Sequence, residues 1–294
     1  MAIHEQIIEL VDGRALEVAT MGDPSGHTVL FHHGTPGSYK TFQALEPLLE
    51  RENFFFVTNS RAGYGASTRL EGRTIGSVVD DTRATLDHFR RGSYAALGWS
   101  GGGPHALACG ALDATRCRRV VALASVAPQV DDFDWTEGMG PENLEEFELA
   151  AKGGAPYEEY MKSVGDAMAE MTKDNVIELM SGLLPDVDRD VLAEDDFREL
   201  FADSCRYGFK NTWRGYFDDN RAFLLPWGFD VANIQVPVAL FYGDADLMVP
   251  PTHGTWLASH LPRVSSHHVA KEGHLSIFAN HFDEVATELS AAFT

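Results

Sequence analysis

Residues 93–112 read SYAALGWSGGGPHALACGAL, and the fold turns on how they are divided. SYAALG is a short apolar run of the length of a buried strand, while GGPHALACGAL is a helix-forming run with apolar residues on most sides. Ser100 stands at the junction, framed by Gly98 and Gly102 as G-x-S-x-G. In a tight strand-to-helix turn only glycine is small enough beside the serine. The turn pushes the hydroxyl outward, and the free N–H groups of the helix N-terminus point at the same spot. An alkoxide formed there would be stabilised. The competing reading is a helix N-cap serine, because so short a pattern also arises by chance.

Working outward, further strand-like runs occur at EQIIEL, RALEVAT, TVLFHH and NFFFVT before this stretch, and at RRVVALA, VPVALFYG and SSHHVA after it. From TVLFHH onward they are mostly short, continuously apolar and separated by helical patterns, as in a buried parallel sheet. Tyr39, Phe42, Leu45 and Leu49 repeat at helical spacing, as do Ile75, Val79, Thr82, Leu86 and Phe89. The expectation is an α/β architecture. Between VALASVAP and VPVALFYG the strand signal vanishes, and Tyr157, Tyr160, Met161, Val164, Met168 and Met171 predict a helix, with further helical patterns near Val176–Leu184 and Phe197–Cys205.

Charge sets the same segment apart. The chain of 294 residues carries a formal net charge of −21, and residues 131–227 hold 24 Asp and Glu against 9 Lys and Arg. Such a balance repels phosphate backbones and anionic lipid surfaces, so neither nucleic acid nor a membrane is an expected partner. The N-terminal MAIHEQIIELVDGR has no basic stretch followed by an apolar core, and no apolar run reaches the length of a membrane span. The expected location is cytoplasmic. Cys109, Cys117 and Cys205 form no C-x-x-C pair and suit small buried hydrophobes. The adjacent pairs His32/His33 and His267/His268 would point to opposite faces of a strand and chelate one metal poorly. His105 reads as a packed or exposed helix residue.

Three more motifs follow in chain order. HHGTPGS (32–38) comes directly after a strand; FYGDADLMVP (241–250) ends a late strand; EGHLSIF (272–278) follows the last one. With the serine turn, these resemble the α/β-hydrolase family over essentially the whole chain. The resemblance implies a mostly parallel eight-stranded sheet flanked by helices. It divides the chain into a core of residues 1–130 and 228–294 and an inserted helical cap of residues 131–227. It also implies the order serine, acid, histidine: Ser100, Asp246 and His274, with Asp244 as the competitor for the acid. The amides of Thr35 and Gly101 would form the oxyanion hole, and His33 would hold that loop. RAGYGAS (61–67) is similar to the family's D-x-x-G-x-G-x-S turn, with Arg61 in place of the first acid, and is given a structural role.

The implied function is hydrolysis of a carboxylic ester or lactone through an acyl-enzyme, requiring no metal or organic cofactor. A serine at the turn speaks against relatives with an aspartate nucleophile. One alternative is an aminopeptidase resembling proline iminopeptidases, although there tryptophan usually follows the serine and here Trp99 precedes it. The other is a ligand sensor on the same scaffold. The expected partner is a small molecule, neutral and partly apolar, and a homodimer is compatible with the sequence. Two expectations concern the acidic segment. Its charge would favour neutral or cationic substrates, and Trp135, Phe147, Trp213, Phe217 and Trp227 would be available to line the pocket beneath it. The bland counterpart is that the carboxylates all face water.

Overall fold

The computed structural model describes residues 2–294. Its eight strands are β1 (His4–Glu9), β2 (Ala15–Gly22), β3 (His27–His32), β4 (Phe54–Asn59), β5 (Tyr94–Trp99), β6 (Cys117–Leu123), β7 (Val238–Gly243) and β8 (Val264–Val269). They form one sheet in the order β1-β2-β4-β3-β5-β6-β7-β8. Only β2 runs against its two neighbours; from β4 to β8 every pairing is parallel. The eight runs named from the sequence are these eight strands.

Both faces of the central strands are buried, which explains their unbroken apolarity. Phe31, Phe56, Leu97, Val121 and Phe241 pack on one face with the C-terminal helix Phe282–Ser290. Leu30, Val57, Ala96, Val120 and Leu240 pack on the other with helices Val78–His88, Gly103–Leu112 and Pro251–His260. Each full burial of such a side chain contributes roughly 1.5–3 kcal/mol, so the sheet is a rigid base for whatever its carboxyl ends carry.

Between β6 and β7 the described chain has no strand and is helical: Pro141–Lys152, Gly154–Ala169, Asp186–Val191, Asp195–Gly208 and Arg214–Leu224 are its longer helices. Met171 lies just beyond the end of the helix its spacing had suggested. This insertion is not held by a core of its own alone. Met171, Val176, Met180, Leu184, Leu192 and Phe201 join the apolar cluster of the sheet, while Tyr64, Tyr157, Met161, Phe209 and Tyr216 make a smaller one within and beneath the insertion. Among the described residues no helix is long and apolar enough to cross a membrane.

Candidate active site

Ser100 directly follows β5 and opens the short turn Ser100–Gly102 that leads into helix Gly103–Leu112. Its φ is 56°, a left-handed conformation that costs a residue bearing a Cβ and persists only where surroundings enforce it. The enforcement is close packing. A Cβ on Gly98 would run into the Gly102 carbonyl, and one on Gly102 into the His32 carbonyl.

His274 lies in the loop after β8 and is buried, with Nδ1 2.8 Å from Asp246 Oδ2. The other oxygen of Asp246 accepts from the amides of Met248 and Val249, both at 2.8 Å, which fixes the carboxylate. Asp244 instead accepts from the Lys271 amide in an exposed turn. Geometry therefore pairs Asp246, not its neighbour, with the histidine. Burial alone would push the His274 imidazolium down, but the Asp246 carboxylate outweighs it and holds the group above its ordinary value.

Two further holders of the histidine loop carry no signal in sequence. Asp188, on the short helix Asp186–Val191 of the insertion, accepts from the amides of His274, Leu275 and Ser276 at 2.8, 3.0 and 2.9 Å. Burial raises its carboxyl above the usual range against the pull of those donors. In PDVDRDVL it looks like any acid of a solvated helix. Trp99 Nε1 donates to the His274 carbonyl at 3.2 Å, and its ring stacks on Phe278. The tryptophan before the serine thus ties β5 to the histidine loop.

The loop after β3 is held by a buried polar network. His33 Nε2 accepts from the Arg61 amide, so its proton sits on Nδ1 and is donated to the Gly34 carbonyl at 2.7 Å. Burial and the Arg61 guanidinium keep this imidazole neutral. Arg61 donates to the His33 carbonyl, to the Gly34 carbonyl and to Thr35 Oγ1. It is neutralised by Asp219 of helix Arg214–Leu224 at 2.7 Å, which also pairs with Arg73 at 2.6 Å and accepts from Thr35 Oγ1 and the Tyr64 hydroxyl. His105, fully buried, has Nε2 3.5 Å from the same carboxylate; burial lowers its pKa to about 4, so it adds no charge. Burial would raise the Asp219 carboxyl, but the two guanidiniums hold it well below the carboxylate range. Gly63, at φ 91°, lets the loop of Arg61 lie directly on Gly215 of the same helix.

Thr35, Ser100, Gly101 and His274 all line one cavity of about 90 Å³, with Asp246 behind the histidine. No hydrogen bond joins Ser100 Oγ to His274 Nε2 among the described residues. The insertion supplies the opposite walls: Met139, Phe147, Met168, Met171, Met180 and Phe201 among others. Of the five aromatic residues expected beneath it, Trp135 and Phe147 line this cavity. Trp213, Phe217 and Trp227 do not: Trp213 packs on Phe217 and on Gly165, Phe217 stacks on Tyr157, and Trp227 packs beside Phe229. Glu146 is the single acid in the lining.

The paired histidines separate as expected. His267 stacks on Phe241 and His268 on Tyr242, from opposite faces of β8. Among the described residues no group of three His, Cys, Asp or Glu side chains is placed to hold a metal ion. All three cysteines are buried and free.

Comparison with known proteins finds the same fold. Residues 27–157 match the family model described as alpha/beta hydrolase fold. A non-heme haloperoxidase of Rhodococcus erythropolis is 23% identical over 230 residues, 77% of each chain. A thermophilic esterase from Thermogutta terrifontis superposes with a TM-score of 0.69 at 18% identity, covering 99% of this chain and 100% of that one. The enol-lactonase from Burkholderia xenovorans gives 0.65 at 19% identity, over 98% and 99%.

Proposed function

For a chain that has the α/β-hydrolase fold, we propose hydrolysis of a carboxylic ester or lactone, with Ser100 as nucleophile, His274 as base and Asp246 as its partner. The observation carrying this reading is the Asp246–His274 hydrogen bond beside a left-handed Ser100, both Ser100 and His274 opening on one apolar cavity. His274 takes the serine proton as Ser100 Oγ attacks the carbonyl carbon. The resulting imidazolium keeps its Nδ1 proton on Asp246 and gives the Nε2 proton to the departing alkoxide. Water, deprotonated by the same nitrogen, then releases the acid from the acyl-enzyme. The serine–histidine hydrogen bond tightens when substrate is bound, as is common for catalytic contacts. The tetrahedral oxyanion is held by the amides of Thr35 and Gly101, aimed by the Arg61–Asp219 network. Such a mechanism requires no metal or organic cofactor.

The division into a core, residues 1–130 and 228–294, and a cap, residues 131–227, belongs to the same proposal: the insertion roofs the serine and sets which substrate enters. At about 90 Å³ the cavity suits a small acyl group with apolar contacts. Initial rates with p-nitrophenyl esters, lactones and proline amides test the reading in wild type and Ser100→Ala. Turnover of esters or lactones that vanishes in the variant supports it. Exclusive cleavage of the amides would make the protein an aminopeptidase, and tight binding without turnover a sensor.

A further inference from the structure

Glu146 takes no part in the steps above. It sits on helix Pro141–Lys152 of the insertion, 5% exposed, in the wall of the same cavity as Ser100. Its two oxygens each accept one hydrogen bond, Oε2 from the Tyr216 hydroxyl at 2.6 Å and Oε1 from Asn220 Nδ2 at 2.7 Å. Tyr216 and Asn220 are one turn apart on helix Arg214–Leu224, so two helices of the insertion converge on one carboxyl group. From helix Gly154–Ala169, Tyr157 and Tyr160 lie near enough for its charge to oppose their ionisation, and Met161 Sδ accepts from Asn220. Among the described residues no Lys, Arg or His is paired with it, unlike Asp219 with its two arginines. The rest of the lining is mainly Met, Trp, Phe and Leu, with Asn143, Thr35, Ser100 and His274 as its other polar groups.

A carboxyl group held this way, with neutral donors on both oxygens and no counter-charge from the protein, lacks one thing, a cation. The cavity it faces is where one could arrive. The polar arrangement is built, not incidental: two side chains of helix Arg214–Leu224 are buried to orient it, and leaving a bare carboxylate in an apolar wall is costly. A second observation points the same way. The insertion around the cavity carries the excess of 24 acids over 9 bases, which raises the local concentration of cations at its surface.

We propose that Glu146, oriented by Tyr216 and Asn220, binds a protonated amine carried by the substrate, so that the ester taken by this cavity bears an ammonium group at its end remote from the scissile bond. The alkyl part between the two lies against the methionine and aromatic walls. The substrate class rests on the ester-hydrolase reading, whereas the ammonium site itself does not.

Burial raises the Glu146 carboxyl to about 7 in the empty cavity, with Tyr216 and Asn220 opposing that shift. Ammonium binding should therefore strengthen as pH rises through that value, while alkylamines remain protonated. The test is calorimetric binding of n-alkylammonium ions and n-alkanols of equal length to the wild-type chain, to Ser100→Ala and to Glu146→Gln. At pH 8 the ammonium ion should bind roughly ten- to a hundredfold tighter than the alkanol, the range of a hydrogen bond to a charged group. The preference should collapse in Glu146→Gln, persist in Ser100→Ala, and shrink in wild type at pH 6. Equal affinity for ammonium and alkanol at pH 8, or a preference that survives in a folded Glu146→Gln, overturns the proposal and leaves Glu146 a structural acid; the wild-type comparison at pH 8 decides this even if Glu146→Gln does not fold, and the change toward pH 6 includes repulsion by protonated His274 of the same cavity. Kinetics with amino-terminated and methyl-terminated p-nitrophenyl esters then separate the two readings. Glu146-dependent ammonium binding without ester turnover would sink the esterase assignment while preserving the site.

Discussion

Replacing Asp219 by asparagine removes the one negative charge lying between two guanidiniums, and all three side chains are fully buried. Breaking a buried ion pair by deleting one partner costs about 3–5 kcal/mol, because the survivor cannot be resolvated. Here two cations, Arg61 and Arg73, lose the same partner, so the upper end of that range applies, about 5 kcal/mol. That is a large share of the roughly 5–15 kcal/mol that holds a folded domain together. Urea unfolding followed by fluorescence of the five tryptophans reads the loss as a lower midpoint at unchanged slope. The variant should also lose activity under conditions where it remains folded, because Arg61 fixes the His33 and Gly34 carbonyls and Asp219 holds Thr35 Oγ1. An ångström of play in that loop can cost on the order of a hundredfold in rate. A stability loss under about 1 kcal/mol with full activity would refute both halves of the argument, and would mean that water or a rearranged side chain neutralises the arginines.

Asp246→Asn should lower kcat by orders of magnitude and Asp244→Asn far less, measured with the best ester at saturation. Because Asp246 holds the His274 imidazolium above its ordinary value, kcat/KM should fall as pH drops through a pKa above 6.5; a profile flat to pH 4 contradicts a histidine base. Asp188→Ala strands three backbone amides, which should cost about 3 kcal/mol of unfolding free energy and reduce kcat more than KM rises. Glu146, whose carboxyl is raised on folding, binds its proton more tightly in the native state, so its cost to stability grows as pH rises from its unfolded value toward about 7. The stability difference between Glu146→Gln and wild type should therefore shift in the variant's favour between pH 4 and pH 8, by up to about 3 kcal/mol in urea titrations, whatever hydrogen bond the new amide loses.

Strands β3 to β7 were legible because burial on both faces forces continuous apolar runs, which few other structures need. Even β8, half exposed, was betrayed by its place between two helical patterns. The serine turn was legible for a steric reason: Gly98 and Gly102 stand where a Cβ would meet backbone. What stayed hidden depends on pairing over long sequence separations. Asp188, Asp219 and Glu146 come from the same acidic segment and look alike as letters, yet one caps a backbone loop, one neutralises two arginines and one faces the cavity. Most of their neighbours do face water, but not all of them, which the bland reading of that segment required: Asp218 is buried as well. Arg61 was given only a structural role, and its departure from an acidic position makes sense only beside Asp219, 158 residues away. The aromatic residues of the insertion divided for a similar reason, since Trp213 and Phe217 pack within the insertion and Trp135 and Phe147 reach the cavity.

The central claim is that Ser100 is a nucleophile activated by His274, and a fluorophosphonate probe asks this directly. Intact-mass spectrometry followed by peptide mapping should show one adduct per chain, on Ser100, formed at a rate that falls with the same pKa as ester turnover. Ser100→Ala should remain folded and unlabelled, since removing a buried hydroxyl leaves almost no cavity. Stoichiometric labelling of Ser100→Ala, or an adduct on any other residue of the wild-type chain, would contradict the account.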